Sequence, residues 1–293
     1  MPGITKKMLH RPYLRIPALS AARATALITA LTLFFCVPAR ADTAAAQTAS
    51  NYSVVLNAKT GKVIYNGDMN KKCYPASLTK IMTALLVFKY LDPKDTLTVT
   101  KDVLAATPAD SSGIGLKAGE VFTIRQAEYT MLLKSDNAMA NELAIKVSGS
   151  MDKFVKLMNK TAKALGAVNT NFTNPSGYYN KNMVTTCYDM ALIMKEALKY
   201  SGFVNVSSSQ QYKLVTNKRS TMLYNDDQMI LDGSPYYNEL VVCGKTGYTD
   251  EARHTLATYA GDKTSGAIIV VMRDTKAGKY TNTNKLISLA FNK

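Results

Sequence analysis

KKCYPASLTKIMTALLVFKY, residues 71–90, places a serine at the mouth of an apolar helix and a lysine three positions behind it. At a first helical turn, Ser77 is suited to cap an orphan backbone N–H. Residues three apart share a helical face, however, so Lys80 is expected beside that hydroxyl. A serine and a lysine so placed can act as nucleophile and base.

Outward from this helix the chain divides by pattern. Residues 52–68 (YSVVLNAKTGKVIYNGD) are two β-branched runs around a glycine turn and read as a hairpin. From about 109 to 200 the apolar residues recur at three- and four-residue spacing, as in MDKFVKLMNKTAKALG (151–166) and TTCYDMALIMKEALKY (185–200), which predicts helices. From Gln211 the pattern alternates. ELVVCGKTGYT (239–249), HTLATYAG (254–261) and SGAIIVVMRD (265–274) read as strands, and residues 280–291 as a last helix. The order predicts an α+β protein: a sheet lobe from about 51–108 and 211–293, a helical lobe from about 109–210, and a cleft between them.

The N-terminus reads separately. Residues 1–41 carry Lys6, Lys7, Arg11, Arg15, Arg23 and Arg40, no acidic residue, and an apolar run from 24 to 37. The sequence Ala39-Arg40-Ala41 supplies a small-x-small cleavage pattern, so the segment is expected to be an export signal, and its run is too short for a permanent span. Cleavage leaves residues 42–293, in which 30 Lys and Arg face 21 acidic residues, a net charge near +9. That excess suits an anionic lipid or wall polymer. The basic residues are scattered, without an arginine-rich block or basic-aromatic alternation, and no nucleic-acid partner is expected.

Beyond residue 41 stand three cysteines, Cys73, Cys187 and Cys243, and a single histidine, His254. Three isolated cysteines make neither a zinc pattern nor a disulfide framework and read as small buried apolar residues. One histidine excludes a multi-histidine metal site, and no metal, nucleotide or other cofactor is expected; His254 is read as structural.

A Ser-x-x-Lys match alone is weak. Ser150 to Lys153 is a second one, with Ser150 an ordinary cap, and Lys59-Thr60-Gly61 duplicates Lys245-Thr246-Gly247 inside a hairpin turn. The informative feature is the ordered trio Ser77-x-x-Lys80, Ser135-x-Asn137 and Lys245-Thr246-Gly247. With it, PASLTKIMTALL (75–86), KSDNAMANELA (134–144), TNFTNPSG (170–177), TTCYDMALI (185–193) and KTGYTDEA (245–252) make the chain resemble the low-molecular-mass D-alanyl-D-alanine carboxypeptidases, penicillin-binding proteins, over about residues 51–293.

The resemblance implies the serine β-lactamase/transpeptidase-like fold, an antiparallel sheet flanked by helices beside an all-helical lobe. It implies Ser77 as nucleophile on peptidoglycan stem peptides and β-lactam antibiotics, Lys80 as base, Ser135 as proton relay and Asn137 as a holder of the substrate backbone. Lys245 is the cation that, with desolvation, depresses the pKa of Lys80. The Lys245-Thr246-Gly247 strand is expected to pair with the peptide, Gly247 giving room for its close approach. The backbone N–H groups of Ser77 and Tyr248 form the implied oxyanion hole, and Thr246, Thr249 and Arg273 receive the terminal carboxylate. The implied location is the periplasmic or extracellular wall space.

Two departures, Met183 where a histidine is usual and Arg253 where a glycine is usual, bear on the rim of the site. The family's frequent β-rich C-terminal domain and amphipathic helix have no counterpart before Lys293. A DD-endopeptidase acting on crosslinks, a β-lactamase and a non-catalytic wall-binding protein are the alternatives. Against the β-lactamase, none of Glu142, Glu196 and Glu239 has an asparagine four places on.

Overall fold

A computed structural model describes residues 52–261 and 265–292. The expected export signal lies outside them. Strands β1 (Tyr52–Asn57) and β2 (Val63–Gly67) form the expected hairpin. Its turn is held by Asn57 Oδ1, which accepts from the amides of Lys59 and Thr60, and by Gly61 at φ 76°. Lys59-Thr60-Gly61 is therefore turn chemistry.

A single 3-10 turn, Ala76–Leu78, leads into α1 (Thr79–Tyr90). Every residue of α1 from Thr79 to Val87 is buried, as a helix apolar on all sides requires. A small ribbon of β3 (Thr96–Thr98) and β4 (Val121–Thr123) brackets α2 (Lys101–Ala106). Helices α3 (Ile124–Leu133), α4 (Asn137–Ser148), α5 (Met151–Ala164), α6 (Cys187–Ala197) and α7 (Ser201–Ser207) follow. Thr123, Asp136, Ser150 and Thr186 cap the first four of these with their side chains.

After a ribbon of β5 (Gln211–Val215) and β6 (Ser220–Tyr224) come β7 (Val241–Thr249), β8 (Arg253–Gly261), β9 (Gly266–Asp274) and α8 (Gly278–Phe291). The main sheet runs β2-β1-β9-β8-β7, antiparallel throughout, so both ends of the described chain build it and β7 is an edge. Val54, Leu56, Ile268, Val270 and Met272 join the larger core, shared with α1, α6 and the other helices. Val55, Leu256, Ile269 and Val271 face the other way, onto Leu286 and Ile287 of α8. With both faces covered, residues 267–272 read as one apolar run instead of an alternation.

Two features differ from the pattern-based expectation. The β5–β6 ribbon pairs only with itself and packs on α3, Tyr212 stacking on Tyr129 at 3.8 Å. Period-two alternation reports a half-buried strand, not which sheet it joins. Within the expected helical stretch, residues 165–186 form only isolated bridges, Cys73 with Thr185 and Asn171 with Val184, and α6 lies against the sheet. No helix among the described residues is long and apolar enough to cross a membrane.

Candidate active site

Ser77 sits half-buried in the 3-10 turn and caps nothing; neither that turn nor α1 has a side-chain cap. Its Oγ lies 3.1 Å from Lys80 Nζ. The turn is gripped by its neighbours. Ala76 has a left-handed φ of 48°, which costs an L-residue about 1–2 kcal/mol. A Cβ on Gly177 would lie 1.8 Å from the Ala76 carbonyl oxygen, and one on Gly247 of β7 would lie 2.9 Å from the Ser77 nitrogen. The close approach at Gly247 is thus to the serine's own turn.

Lys80 is 0 % exposed. Its Nζ also donates to Asn137 Oδ1 at 2.6 Å and to the Ser176 carbonyl at 2.7 Å. Burial holds its pKa well below the ordinary lysine value; the Lys245 charge pushes the same way and Asp136 opposes both. Lys245, on β7, is itself pushed down to about 8, chiefly by burial, and donates to the Thr246 carbonyl at 2.9 Å. Both causes expected from the sequence operate, with burial the larger.

The second element of the trio, Ser135-x-Asn137, comes from the α3–α4 junction. Asp136 accepts from the amides of Met139 and Ile114, both at 2.8 Å, fixing Asn137 at the first position of α4. The Asn137 Nδ2 donates to none of the described residues. Ser135 has φ 55°, and its buried Oγ has no hydrogen-bond partner, so it bridges neither lysine here. Of the six non-glycine residues with positive φ among the described residues, Ala76 and Ser135 lie in or next to these motifs, strain of the kind that persists where the surrounding structure over-determines a site.

Two cavities open on either side of Ser77, about 650 and 390 Å³ in volume, sharing Ser77, Ser112 and Tyr248. Thr246, Gly247, Ser135, His254, Lys276 and Lys279 line the larger. Lys279 is 6 % exposed, and its Nζ has no hydrogen bond or ion pair among the described residues, only the Tyr280 ring at 4.7 Å. Burial pushes its pKa down, against the pull of Asp227 and Asp226. Arg273 lines neither cavity; it is exposed, with its guanidinium over the Tyr52 ring at 5.7 Å. The last residues of β9 carry it toward β1, whereas the first turn of α8 points Lys279 inward.

Thr249 lines the smaller cavity, beside Asp110, Asp250 and Glu251, and its Oγ1 accepts from the Ala252 amide. Tyr248 donates to Asp250 Oδ1 at 2.5 Å and stacks on His254 at 4.4 Å. His254 borders the larger cavity with Nδ1 buried and unpartnered, but it has no hydrogen bond to Ser77 or Lys80. Its pKa is lowered by burial first and by Lys279 next. Met183 is no rim residue: it is buried, Sδ 3.7 Å from Thr79 Oγ1. Arg253 is exposed. Glu142 accepts from the amide and hydroxyl of Thr100, away from Ser77. The three cysteines are free and buried, and no group of metal-ligating side chains occurs among the described residues.

Three contributors escaped the sequence reading. The Ser176 carbonyl holds Lys80 because Asn174 Oδ1 ties the amides of Ser176 and Gly177 and Thr83 Oγ1 holds the Pro175 carbonyl at 2.6 Å. NPSG was visible, but a backbone acceptor has no residue-type signature. Lys279 was one lysine among many, and the acids of the smaller cavity come from separate loops.

A serine beside a buried, pKa-depressed lysine, held between a helical block and the edge of an antiparallel sheet, defines the serine-peptidase class that has the penicillin-binding fold. The chain belongs to the D-alanyl-D-alanine carboxypeptidase family, which its residues 39–276 match. It is 34% identical over 249 residues to the D-alanyl-D-alanine carboxypeptidase DacF of Bacillus subtilis, covering 82% of this chain and 61% of that protein. It is 31% identical over 221 residues to the D-alanyl-D-alanine carboxypeptidase DacB2 of Mycobacterium tuberculosis, covering 75% and 73%. The crystal structure of the Streptomyces K15 DD-transpeptidase is similar with a TM-score of 0.79 and 26% identity, covering 85% of this chain and 99% of that one.

Proposed function

We propose that the protein is a serine D-Ala-D-Ala carboxypeptidase that removes the terminal D-alanine of peptidoglycan stem peptides through an acyl-enzyme on Ser77, and that penicillin acylates the same serine. The observation that carries this is the Lys80 amine, buried beside Lys245 and 3.1 Å from Ser77 Oγ.

In its neutral form Lys80 has two N–H bonds and one lone pair. Asn137 Oδ1 and the Ser176 carbonyl take the two N–H bonds, which leaves the lone pair for the Ser77 proton. Ser77 Oγ then attacks the carbonyl between the two D-alanines. Its backbone N–H, at a helix start without an intrahelical partner, and that of Tyr248 on edge strand β7 stabilise the oxyanion; in another hydrolase such a donor is worth about 3–4 kcal/mol. The proton on Lys80 passes to the leaving amine, with the unpartnered Ser135 hydroxyl between them. The terminal carboxylate lies in the larger cavity against Thr246 and Lys279, where the resemblance implied Thr246, Thr249 and Arg273. Water then releases the acyl group from Ser77.

The N-terminal pattern of residues 1–41 supports action in the exported, wall-facing space. Intact-mass analysis of the protein with benzylpenicillin, followed by peptide mapping, tests the reading. A lasting one-to-one adduct on Ser77, absent in Ser77→Ala, and D-alanine release from a D-Ala-D-Ala peptide are expected. Folded protein giving neither overturns it.

A further inference from the structure

We propose that Asp227 is a positioning residue of the site: its buried side chain is the counter-charge that keeps Lys279 an ammonium in the larger cavity. The inference rests on the carboxypeptidase reading, in which Lys279 receives the terminal carboxylate, and adds the group that sustains that charge. Asp227 is 1 % exposed. Its Oδ1 accepts from the Met229 amide at 3.1 Å, and its Oδ2 is buried with no hydrogen-bond partner among the described residues. A charged oxygen left in that state is costly unless an opposite charge lies nearby.

The fold brings that charge to the same face of the sheet. Asp227 Oδ2 occupies the space that a Cβ on Gly244 of β7 would take. Residues two apart on a strand share a face, so Gly244 and Thr246 look the same way, together with their β8 partners Thr258 and Leu256. Leu256 packs with Met229 and with Leu286 and Ile287 of α8. Asp227, Thr246 and Lys279 therefore meet between the sheet edge and the start of α8, whereas Lys245, one residue on, belongs to the opposite face. The Asp227 segment is fastened there: Asn225 Oδ1 accepts from the Asp227 amide at 2.9 Å, and Asn225 Nδ2 donates to the carbonyls of Ser207 and Ser209.

No other acid can replace it. Asp226 is exposed and already bridged to Lys134 at 2.5 Å. Of the remaining groups around Lys279, Lys276 just ahead of α8 and Lys245 on β7 are cations, His254 lies on β8, and Tyr280 offers its ring. Burial lowers the Lys279 pKa; Asp227 leads the charges that hold it up, Asp226 follows, and Lys276 opposes them. Burial raises the Asp227 pKa, against the Met229 amide and then Lys279 and Lys245. No ion pair joins Asp227 to Lys279, so the support acts through space, in a buried setting where charges are poorly screened.

The test compares acylation of Ser77 by benzylpenicillin, which carries a carboxylate, with acylation by its methyl ester, which carries none. The ratio of the two rates isolates the carboxylate receptor, because Ser77 and Lys80 act on both ligands. Asp227→Asn keeps an acceptor for the Met229 amide and removes the charge, and it should lower the ratio about fivefold at neutral pH. Without Asp227 the Lys279 pKa drops further, so the pH at which the ratio falls should also move down. In a Lys279→Ala background the same change should leave the ratio within about twofold. A residue that merely supported its loop would slow both ligands alike and in both backgrounds. Gly244→Ala, whose Cβ displaces the carboxylate, should lower the ratio as well, and it stands in if Asp227→Asn does not fold. If Lys279→Ala lowers the ratio and neither Asp227→Asn nor Gly244→Ala does, the role of Asp227 alone is overturned. A ratio unmoved by Lys279→Ala overturns the carboxylate assignment and this inference with it, and folded protein that neither ligand labels overturns the carboxypeptidase reading.

Discussion

The Lys80 amine and the Ser77 hydroxyl meet at 3.1 Å in a place where the lysine has no exposed surface. Its pKa lies well below the ordinary value, so the reactive neutral form is present at far lower pH than for a free lysine. Acylation by benzylpenicillin should rise with pH and level off well below 10.5. Lys245 contributes to this as a cation and is itself pushed down to about 8, so its own deprotonation broadens the limb without turning it over. Lys245→Gln removes the cation at all pH values; the acid limb should move upward, read as acylation rate against pH. An unmoved limb would show that burial alone sets the Lys80 pKa.

Lys279 and Arg273 separate cleanly as candidate carboxylate receptors. Lys279 lines the larger cavity with an unpaired amine, whereas Arg273 lies over Tyr52 and lines neither cavity. A charge-assisted hydrogen bond is worth about 1.5–3 kcal/mol, so Lys279→Ala should lower kcat/KM on a D-Ala-D-Ala peptide by about 10- to 100-fold. Lys279→Arg should recover part of it, and Arg273→Ala should leave it within about threefold. The opposite ranking in D-alanine release would restore Arg273 to the site.

The candidate trio was legible because its members have residue types that the proposed chemistry demands and offsets that a helix or strand enforces. Ser77 with Lys80, Ser135 with Asn137, and Lys245 with Thr246 each sit within a few residues. The hairpin and the strands of the main sheet were readable from β-branched runs and alternation. What could not be read depends on distant segments meeting. The Ser176 carbonyl reaches Lys80 across 96 positions, and Lys279 enters the cavity by the direction of a helix start. Ser77 sits in a turn held by Gly177 and Gly247, each far off in the chain.

Gly177 and Gly149 share a left-handed backbone, φ 81° and 76°, but differ in surroundings. A Cβ at Gly149 meets nothing within 4 Å; one at Gly177 falls 1.8 Å from the Ala76 oxygen and 2.8 Å from Thr79 Oγ1. Gly149→Ala should cost only the backbone strain, about 1–2 kcal/mol. Gly177→Ala adds a clash with the turn that holds Ser77 and should cost more than about 3 kcal/mol, with slowed acylation in whatever protein folds. Urea unfolding and penicillin labelling check the pair, and similar losses from both would mean that the 174–177 segment yields freely.

Arg253 is the counterpart case, a residue where the backbone asks for glycine. It is exposed, opens β8 at φ 57° opposite Thr249, and lines neither cavity. Members of the family resembled here usually carry glycine at this place, which accords with the left-handed angle. Glycine relieves strain of about 1–2 kcal/mol but adds unfolded-chain entropy of about 0.5–1 kcal/mol, so Arg253→Gly should stabilise by up to about 1 kcal/mol. For a domain of this size that is a rise of about 2–4 °C in Tm. A Tm that falls would show that the arginine makes a stabilising contact outweighing the strain.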